Sequence, residues 1–536
     1  MNLARQFQYM QHSTERGFHA MNHWKKGTAV LTVAALTAAL TAGCGGKGSS
    51  NSEETPGASA TGTPVKPAAP VPLNVTLTGT GLPPPDADVI KQTLDKKLGI
   101  DLTLAPLQTL DDYTKQVRLR ISAGNYPDLF QVSYAEMKEY ADKGLLLDLT
   151  PYYGKELKPA ADFVTSLSGE LLKKASYNGK MYAIPRNGDA PFDAYWIRKD
   201  WLDKLGLKAP TTLDELLAVA KAFTENDPDG NGKKDTYGIL GGEFATFASV
   251  LGAYGVSNPF AGAFYKQGDK LVNAFYDPNM PLALGAIKTL IDANVVDPEI
   301  MTNKSNEIQQ KAFQGKGGIV NYPWTGFAKD EFIAQIKTVN PKAEWMTFDA
   351  PKGPAGQFDG AFDYDRPGRL LAIPKTLEKD KEKLQKVFDL INYVSSKEGN
   401  ELVMYGIEGK HYTKQDGKYT LTDLMTKEGG YFSLYQFTGR PNESYLANKF
   451  PNQKEVSAYA ANAKRIRLLD SSVIPPDGFN KADADRYAKE EMVKFVYGKR
   501  PLSEYPAFLK TLEETFKYKL YTDSAEKQLK EQGLLK

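Results

Sequence analysis

Between residues 227 and 235 the chain reads DPDGNGKKD, which sets three carboxylates and an asparagine amide along a glycine-rich turn. In a calcium loop of the EF-hand type, oxygen ligands fall at positions 1, 3, 5, 7 and 9, and glycine at 6 allows the sharp turn. With Asp227 as position 1, Asp229 takes 3, Asn231 takes 5, Gly232 takes 6, Lys233 takes 7 through its backbone carbonyl, and Asp235 takes 9. Position 12 is Gly238, so the usual bidentate glutamate is missing and a further oxygen must come from water or elsewhere. A solvated acidic turn uses the same residue types, but carboxylates this close repel one another unless a cation sits among them. The spacing points to a hard, oxygen-ligated ion, calcium rather than magnesium, with the structural role of pinning the loop after a helix at 212 to 224.

Other chemistries are scarce. The 536-residue chain has one cysteine, Cys44, and four histidines, of which His12, His19 and His23 lie in the first 43 residues. Those residues read as a secretion signal, because Lys25 and Lys26 precede an apolar run from 29 to 40 that leads into Thr41-Ala42-Gly43-Cys44. Met21 is a better-placed start than Met1. The run is too short to span a bilayer, which takes about 20 apolar residues. Small residues before a lone cysteine resemble the lipobox of bacterial lipoproteins, although Thr41 stands where leucine is usual. That resemblance makes Cys44 the lipidated membrane anchor.

Removing residues 1–43 takes away four cations and one anion, turning a net charge of +2 into −1. That balance lacks the basic stripe nucleic acid requires. His411 is then the only imidazole, which disfavours nucleophile-histidine hydrolases and zinc sites. Carboxylate chemistry, such as glycoside hydrolysis by two Asp or Glu residues, stays open.

Stepping from these groups to what must hold them, residues 44–72 are rich in Gly, Ser, Thr, Pro and Ala and read as a disordered tether. From residue 73, Leu73, Val75 and Leu77 alternate as in a strand, Asp86 can cap a helix ending at Leu98, and Ile100, Leu102 and Leu104 alternate again. A helix near 110 to 123, the run DLFQVS at 128 to 133 and a helix ending before Gly144 make a third cycle. Strands alternating with helices predict an α/β fold with a parallel sheet, whose ligands bind beyond the carboxyl ends of the strands. Thr212 and Glu215 form a capping box. Leu384, Val387, Phe388, Ile391 and Val394 make an apolar helix face behind the strand RLLAIP at 369 to 374.

The ordered motifs GNYPDLFQ at 124 to 131, GLLLDLT at 144 to 150, YNGKMYAIP at 177 to 185, YWIRKDWLDKLGL at 195 to 207, DPDGNGKKDTYG, FQGKGGIVNYPWT at 313 to 325 and YGIEGKHYT at 405 to 413 resemble the extracellular solute-binding proteins (family 1) of bacterial ABC importers, in particular a large lipoprotein branch tied to oligosaccharide uptake. The resemblance implies a two-lobed periplasmic-binding-protein-like fold of type II, with a hinge and a ligand cleft between the lobes. It implies a first lobe at 73 to 188 and about 369 to 430, a second at 189 to 368 with the calcium loop, and a helical part from about 431 to 536 packing on both. The implied partners are a carbohydrate ligand, ABC permease subunits and the membrane, with the protein a monomer that catalyses nothing. Family members often carry a glutamate directly after the position-9 aspartate, where this chain has Thr236.

Sugars present flat apolar faces and a rim of hydroxyls, so their sites pair aromatic rings with Asp, Asn and Arg side chains. Trp324, after the strand GGIVNY, ranks first, with Tyr322 beside it. Near the inter-lobe boundary, Arg186, Asn187, Asp189 and Tyr195 are candidates, and at the second crossing Tyr364 and Arg366. Trp196 and Trp201 read as core. The competing readings are a secreted carbohydrate-active hydrolase or lyase with a structural calcium, and a lipoprotein that binds peptides or serves chemosensing.

Overall fold

The computed structural model describes residues 69–536, so the secretion signal, Cys44 and nearly all of the tether lie outside the described residues. Nine strands build the two main sheets: β1 (Val71–Thr78), β2 (Ile100–Leu107), β3 (Leu129–Val132), β4 (Ile184–Arg186), β5 (Asp193–Arg198), β6 (Tyr237–Leu240), β7 (Gly317–Pro323), β8 (Trp345–Thr347) and β9 (Arg369–Ala372). The first sheet runs β2-β1-β3-β9-β4 and the second β8-β5-β7-β6.

Alternation along β1 and β2 buries Leu73, Val75, Leu77, Ile100 and Leu102, and the two strands pair in parallel, as does β1 with β3. The sheet is mixed rather than purely parallel, because β9 runs antiparallel to β3 and β4. The reason is connectivity: β9 arrives from the second lobe by direct crossing and not through the helix that a parallel return within one sheet requires.

Caps differ from expectation by one or two residues. The helix Val89–Leu98 is capped by Asp88, not Asp86, with Asp88 accepting from the Ile90 and Lys91 N–H groups at 3.1 and 3.0 Å. Asp88 is also hydrogen-bonded by the Tyr435 hydroxyl, a partner far along the chain that local sequence does not reveal. At the helix Leu213–Glu225, Thr212 accepts from the Glu215 N–H at 3.2 Å, whereas the Glu215 carboxylate reaches past it to the Thr211 N–H at 2.7 Å.

Each sheet has its own apolar core. The first packs β1 and β2 against Leu384, Val387, Phe388 and Ile391 and takes in Tyr431, Phe432, Leu434, Tyr435 and Phe437. The second packs Ile197, Trp201, Phe223, Ile239 and Ile319 against the C-terminal helices through Phe479, Phe495, Phe508, Tyr518 and Tyr521. A third cluster lies on the other face of the second sheet, where Trp196, Val320, Tyr322 and Trp324 meet Tyr405, Tyr412, Tyr445 and Leu446. The two sheets thus keep separate cores, and the third cluster bridges them by packing Tyr405 and Tyr412 onto the second sheet.

The chain passes between the two sheets three times, at residues 187–192, 363–368 and again after Phe437. The first two passages touch backbone to backbone: a Cβ on Gly188 would stand 2.6 Å from the Arg366 carbonyl oxygen, and one on Gly368 would stand 2.6 Å from the Asn187 carbonyl oxygen. Any side chain at either position would push the passages apart. The second passage is further held by Asp365, which pairs with Arg467, and by Asp363, whose carboxylate accepts the Ser471 N–H at 2.9 Å.

Candidate functional site

Arg186 closes β4 and pairs in register with Arg369, which opens β9. Directly opposed residues of an antiparallel pair point to the same side of the sheet, so these two guanidiniums stand together. They stand at the edge where β1 and β3 end, because β9 runs back from that edge. Arg369 donates through Nε to Gln131 Oε1 and through Nη2 to the Thr78 carbonyl, both at 3.0 Å, and Gln131 Oε1 also accepts from the Thr78 N–H and hydroxyl. The carboxyl edge of the first sheet is thereby tied to the second crossing.

A third guanidinium arrives from the last passage. Arg440 donates to Asp189 Oδ1 at 2.8 Å and to the Gln436 side chain, and its guanidinium lies 4.1 Å from the centre of the Tyr445 ring. Arg186 reaches the same Asp189 oxygen at 3.3 Å. Asn187 clasps Arg440 by its backbone, donating from Nδ2 to the carbonyl at 2.9 Å and accepting the N–H at 3.1 Å.

Among the described residues, Asp189 is the carboxylate that Arg186 and Arg440 share, while Arg369 bonds only neutral acceptors. Burial, with Arg440 adding to it and Asp189 opposing, lowers the pKa of Arg186. Burial, with Arg186 beside it, pushes Arg369 down to about 10. Arg186 and Arg440 are 8% and 7% exposed, and the Nε of each has no protein partner.

Of the residues singled out from sequence, Arg186, Asn187 and Asp189 meet in this cluster. Tyr364 is exposed, its ring 5.1 Å from Phe362, and Arg366 is exposed on the same crossing. Three aromatic candidates lie elsewhere. Tyr195 is in the second core, its hydroxyl donating to the Thr246 carbonyl at 2.8 Å and accepting the Ser249 N–H at 3.0 Å. Tyr322 is engaged by Ser305. Trp324 is fully enclosed, with Phe192 and Phe450 at 6.3 and 5.4 Å between ring centres, so it supports the wall rather than offering a free face. Position after a strand locates a residue at the rim, but it does not say which neighbours will cover it.

His411 is also buried, accepting the Ile407 N–H at 3.0 Å and facing Glu428. Sequence reading passed over Arg369, Arg440 and Gln131. The signal that could have found Arg369 was its place at the head of an apolar strand, where a charge is out of pattern.

The oxygen-rich loop is exposed and already internally bonded. Asp227 accepts the Asn231 and Gly232 N–H groups at 3.0 and 3.1 Å. Asn231 turns its amide nitrogen toward Asp229 and Asp235 at 2.8 and 3.0 Å, while its oxygen accepts the Lys233 N–H. Lys316 holds the other Asp235 oxygen at 2.8 Å and, with Asn231, lowers the pKa of that carboxyl. Desolvation raises that of Asp229.

Among the described residues no three acidic, His or Cys side chains stand close enough to ligate an ion. In this structure N–H donors occupy the carboxylates of the loop. The donor chemistry still fits a hard cation: Asp227, Asp229, Asp235, the Lys233 carbonyl and, after a half-turn of its amide, Asn231 supply oxygen only.

A family model described as bacterial extracellular solute-binding protein matches residues 89–401. Among curated proteins, the polygalacturonan/rhamnogalacturonan-binding protein YtcQ of Bacillus subtilis is 27% identical over 341 residues, 61% of this chain and 64% of the relative. The chain therefore spans just under two thirds of that protein. Lipoprotein LipO of the same organism is 27% identical over 378 residues, 66% of this chain and 69% of the relative. Among solved structures, an HMO-binding, ABC-transporter-associated solute-binding protein from Bifidobacterium longum infantis superimposes with a TM-score of 0.67 at 18% identity, over 86% of this chain and 98% of that one. At that identity the likeness speaks for the fold.

Proposed function

The chain belongs to the bacterial extracellular solute-binding proteins, and from that premise we propose that it captures an oligosaccharide between its lobes and delivers it to the permease of an ABC importer. The observation that carries this reading is the convergence of Arg186, Asn187, Asp189, Arg369 and Arg440, from all three inter-lobe passages, on the carboxyl edge of the first sheet. Ligands of open α/β sheets bind at that edge. A ligand seated there touches both lobes and stabilises the closed arrangement by the contacts it gains there.

In this reading Arg186, Asn187, Asp189, Tyr364 and Arg366 contact the sugar, Tyr322 and Trp324 back the opposing wall, and Tyr195 braces the second lobe. Cys44 carries the lipid that holds the protein at the outer face of the membrane. The loop at 227–235 takes calcium in a structural role, through Asp227, Asp229, Asn231, Lys233 and Asp235. The enzyme alternative asks for two carboxyl groups flanking a scissile bond, and the cluster supplies Asp189 already bonded to two guanidiniums.

A thermal-shift screen of the mature protein against an oligosaccharide panel, with calcium present, tests the reading. A ligand that binds the native state alone raises the unfolding midpoint. No shift across the panel, or the appearance of cleaved sugar, would defeat it.

A further inference from the structure

We propose that the captured saccharide is acidic, with its carboxylates seated on Arg186, Arg369 and Arg440. This rests on the receptor reading above and names its substrate class.

The first ground is charge balance. Elsewhere in the fold buried guanidiniums are matched one to one: Arg465 pairs with Asp359 at 3.0 Å with both side chains 4% exposed, and Arg198 grips Asp200 through two bonds of 2.8 and 2.6 Å. At the crossings Arg186 and Arg440 share Asp189 and Arg369 bonds only neutral acceptors, so three guanidiniums face one carboxylate and two positive charges go unmatched. A guanidinium does not lose its proton at working pH. An uncompensated buried charge is strongly unfavourable, so the cluster suits an anion that arrives when the lobes close on it.

The second ground is donor geometry. The acceptors around the cluster, Gln131 Oε1, the Thr78 and Asn187 carbonyls and the Gln436 side chain, are each already bonded by these arginines. Among the described residues the enclosed Nε of Arg186 and of Arg440 have no partner, and the acceptor left open is the second oxygen of Asp189. A hydroxyl both donates and accepts, whereas a carboxylate only accepts and matches the planar guanidinium edge with two parallel bonds. With three guanidiniums to one carboxylate, donors outnumber acceptors here and favour a carboxylate over a neutral hydroxyl rim. The Tyr445 ring under Arg440 fixes the plane of that guanidinium, which keeps the fork oriented.

The third ground is place. Arg186 and Arg369 stand side by side at the end of the sheet where α/β ligands bind. Their charge thus stands at the edge where a ligand would sit.

Calorimetric titration of the mature protein with trigalacturonate, with its methyl ester and with a sulfated disaccharide tests this without any variant. The acid is expected to bind about 10-fold or more tightly than its ester and to weaken as salt is raised. In Arg369→Gln and Arg440→Gln the preference for acid over ester should shrink by about 10-fold. Equal binding of acid and ester, or binding of the sulfated sugar with none of the uronate, overturns the uronate assignment and leaves the receptor reading standing. If neutral oligosaccharides fail as well, both are overturned.

Discussion

Two regions of this protein carry unbalanced charge, one of each sign, and they handle it differently. The loop at 227–235 gathers carboxylates in the open, where water, backbone N–H groups and Lys316 share the load. The cluster at the crossings gathers buried and half-buried guanidiniums, two of them bonded to Asp189. In high dielectric an imbalance costs little and a salt bridge contributes little; between closed lobes the same imbalance is expensive. The exposed loop can therefore exist with or without its ion, while the buried cluster is built to be completed.

The sharpest way to break this contrast is Asp189→Asn, which raises the buried surplus from two charges to three. Asp189 is 44% exposed, so its loss should cost about 1–3 kcal/mol, what leaving a buried donor without its partner costs. Urea unfolding of the variant should show that loss, and an acidic saccharide should restore part of it. An unchanged midpoint would mean the surplus is not felt.

For the loop, calcium at about 100 times its dissociation constant should stabilise by up to about 2.7 kcal/mol. A chelator should reverse this, and Asp229→Ala should be insensitive to both. A thermal midpoint indifferent to calcium in the unmodified protein would reduce the loop to a plain acidic turn.

The contrast also has a pH readout at a buried acid. Asp470 accepts the Ala263 and Phe264 N–H groups at 2.9 Å, yet burial pushes its carboxyl up to about 6. In the unfolded chain an aspartate titrates near ~3.9, so between those values the native state holds the proton that the unfolded state has lost. Stability contributed by Asp470 is present below about pH 4 and is lost as pH rises through about 6, by about 3 kcal/mol. The difference in unfolding free energy between the protein and Asp470→Asn, measured at both ends of that window, should track this; a flat difference would count against the burial argument.

Much of the local structure was readable in advance. The alternation in β1 and β2, the apolar stripe of Leu384 to Val394 and the order of short motifs that marks the family all lie within contiguous stretches, where spacing alone sets which side chains share a face. Trp196 and Trp201, read as core, are buried. The cap at Asp88 was missed because its choice over Asp86 depends on Tyr435, a residue from the far end of the chain.

The chain by itself determined the helices, the alternation of the main strands, and the oxygen spacing of the loop from Asp227 to Asp235, since those rest on dihedral periods and neighbours a few residues apart. Only the tertiary structure decided that Trp324 is covered by Phe192 and Phe450, and that Arg186 and Arg440 meet over one carboxylate with Arg369 beside them. Burial and charge balance are sums over whatever the fold brings together, and residues from three separate passages carry no mark in sequence of the partners they will be counted with.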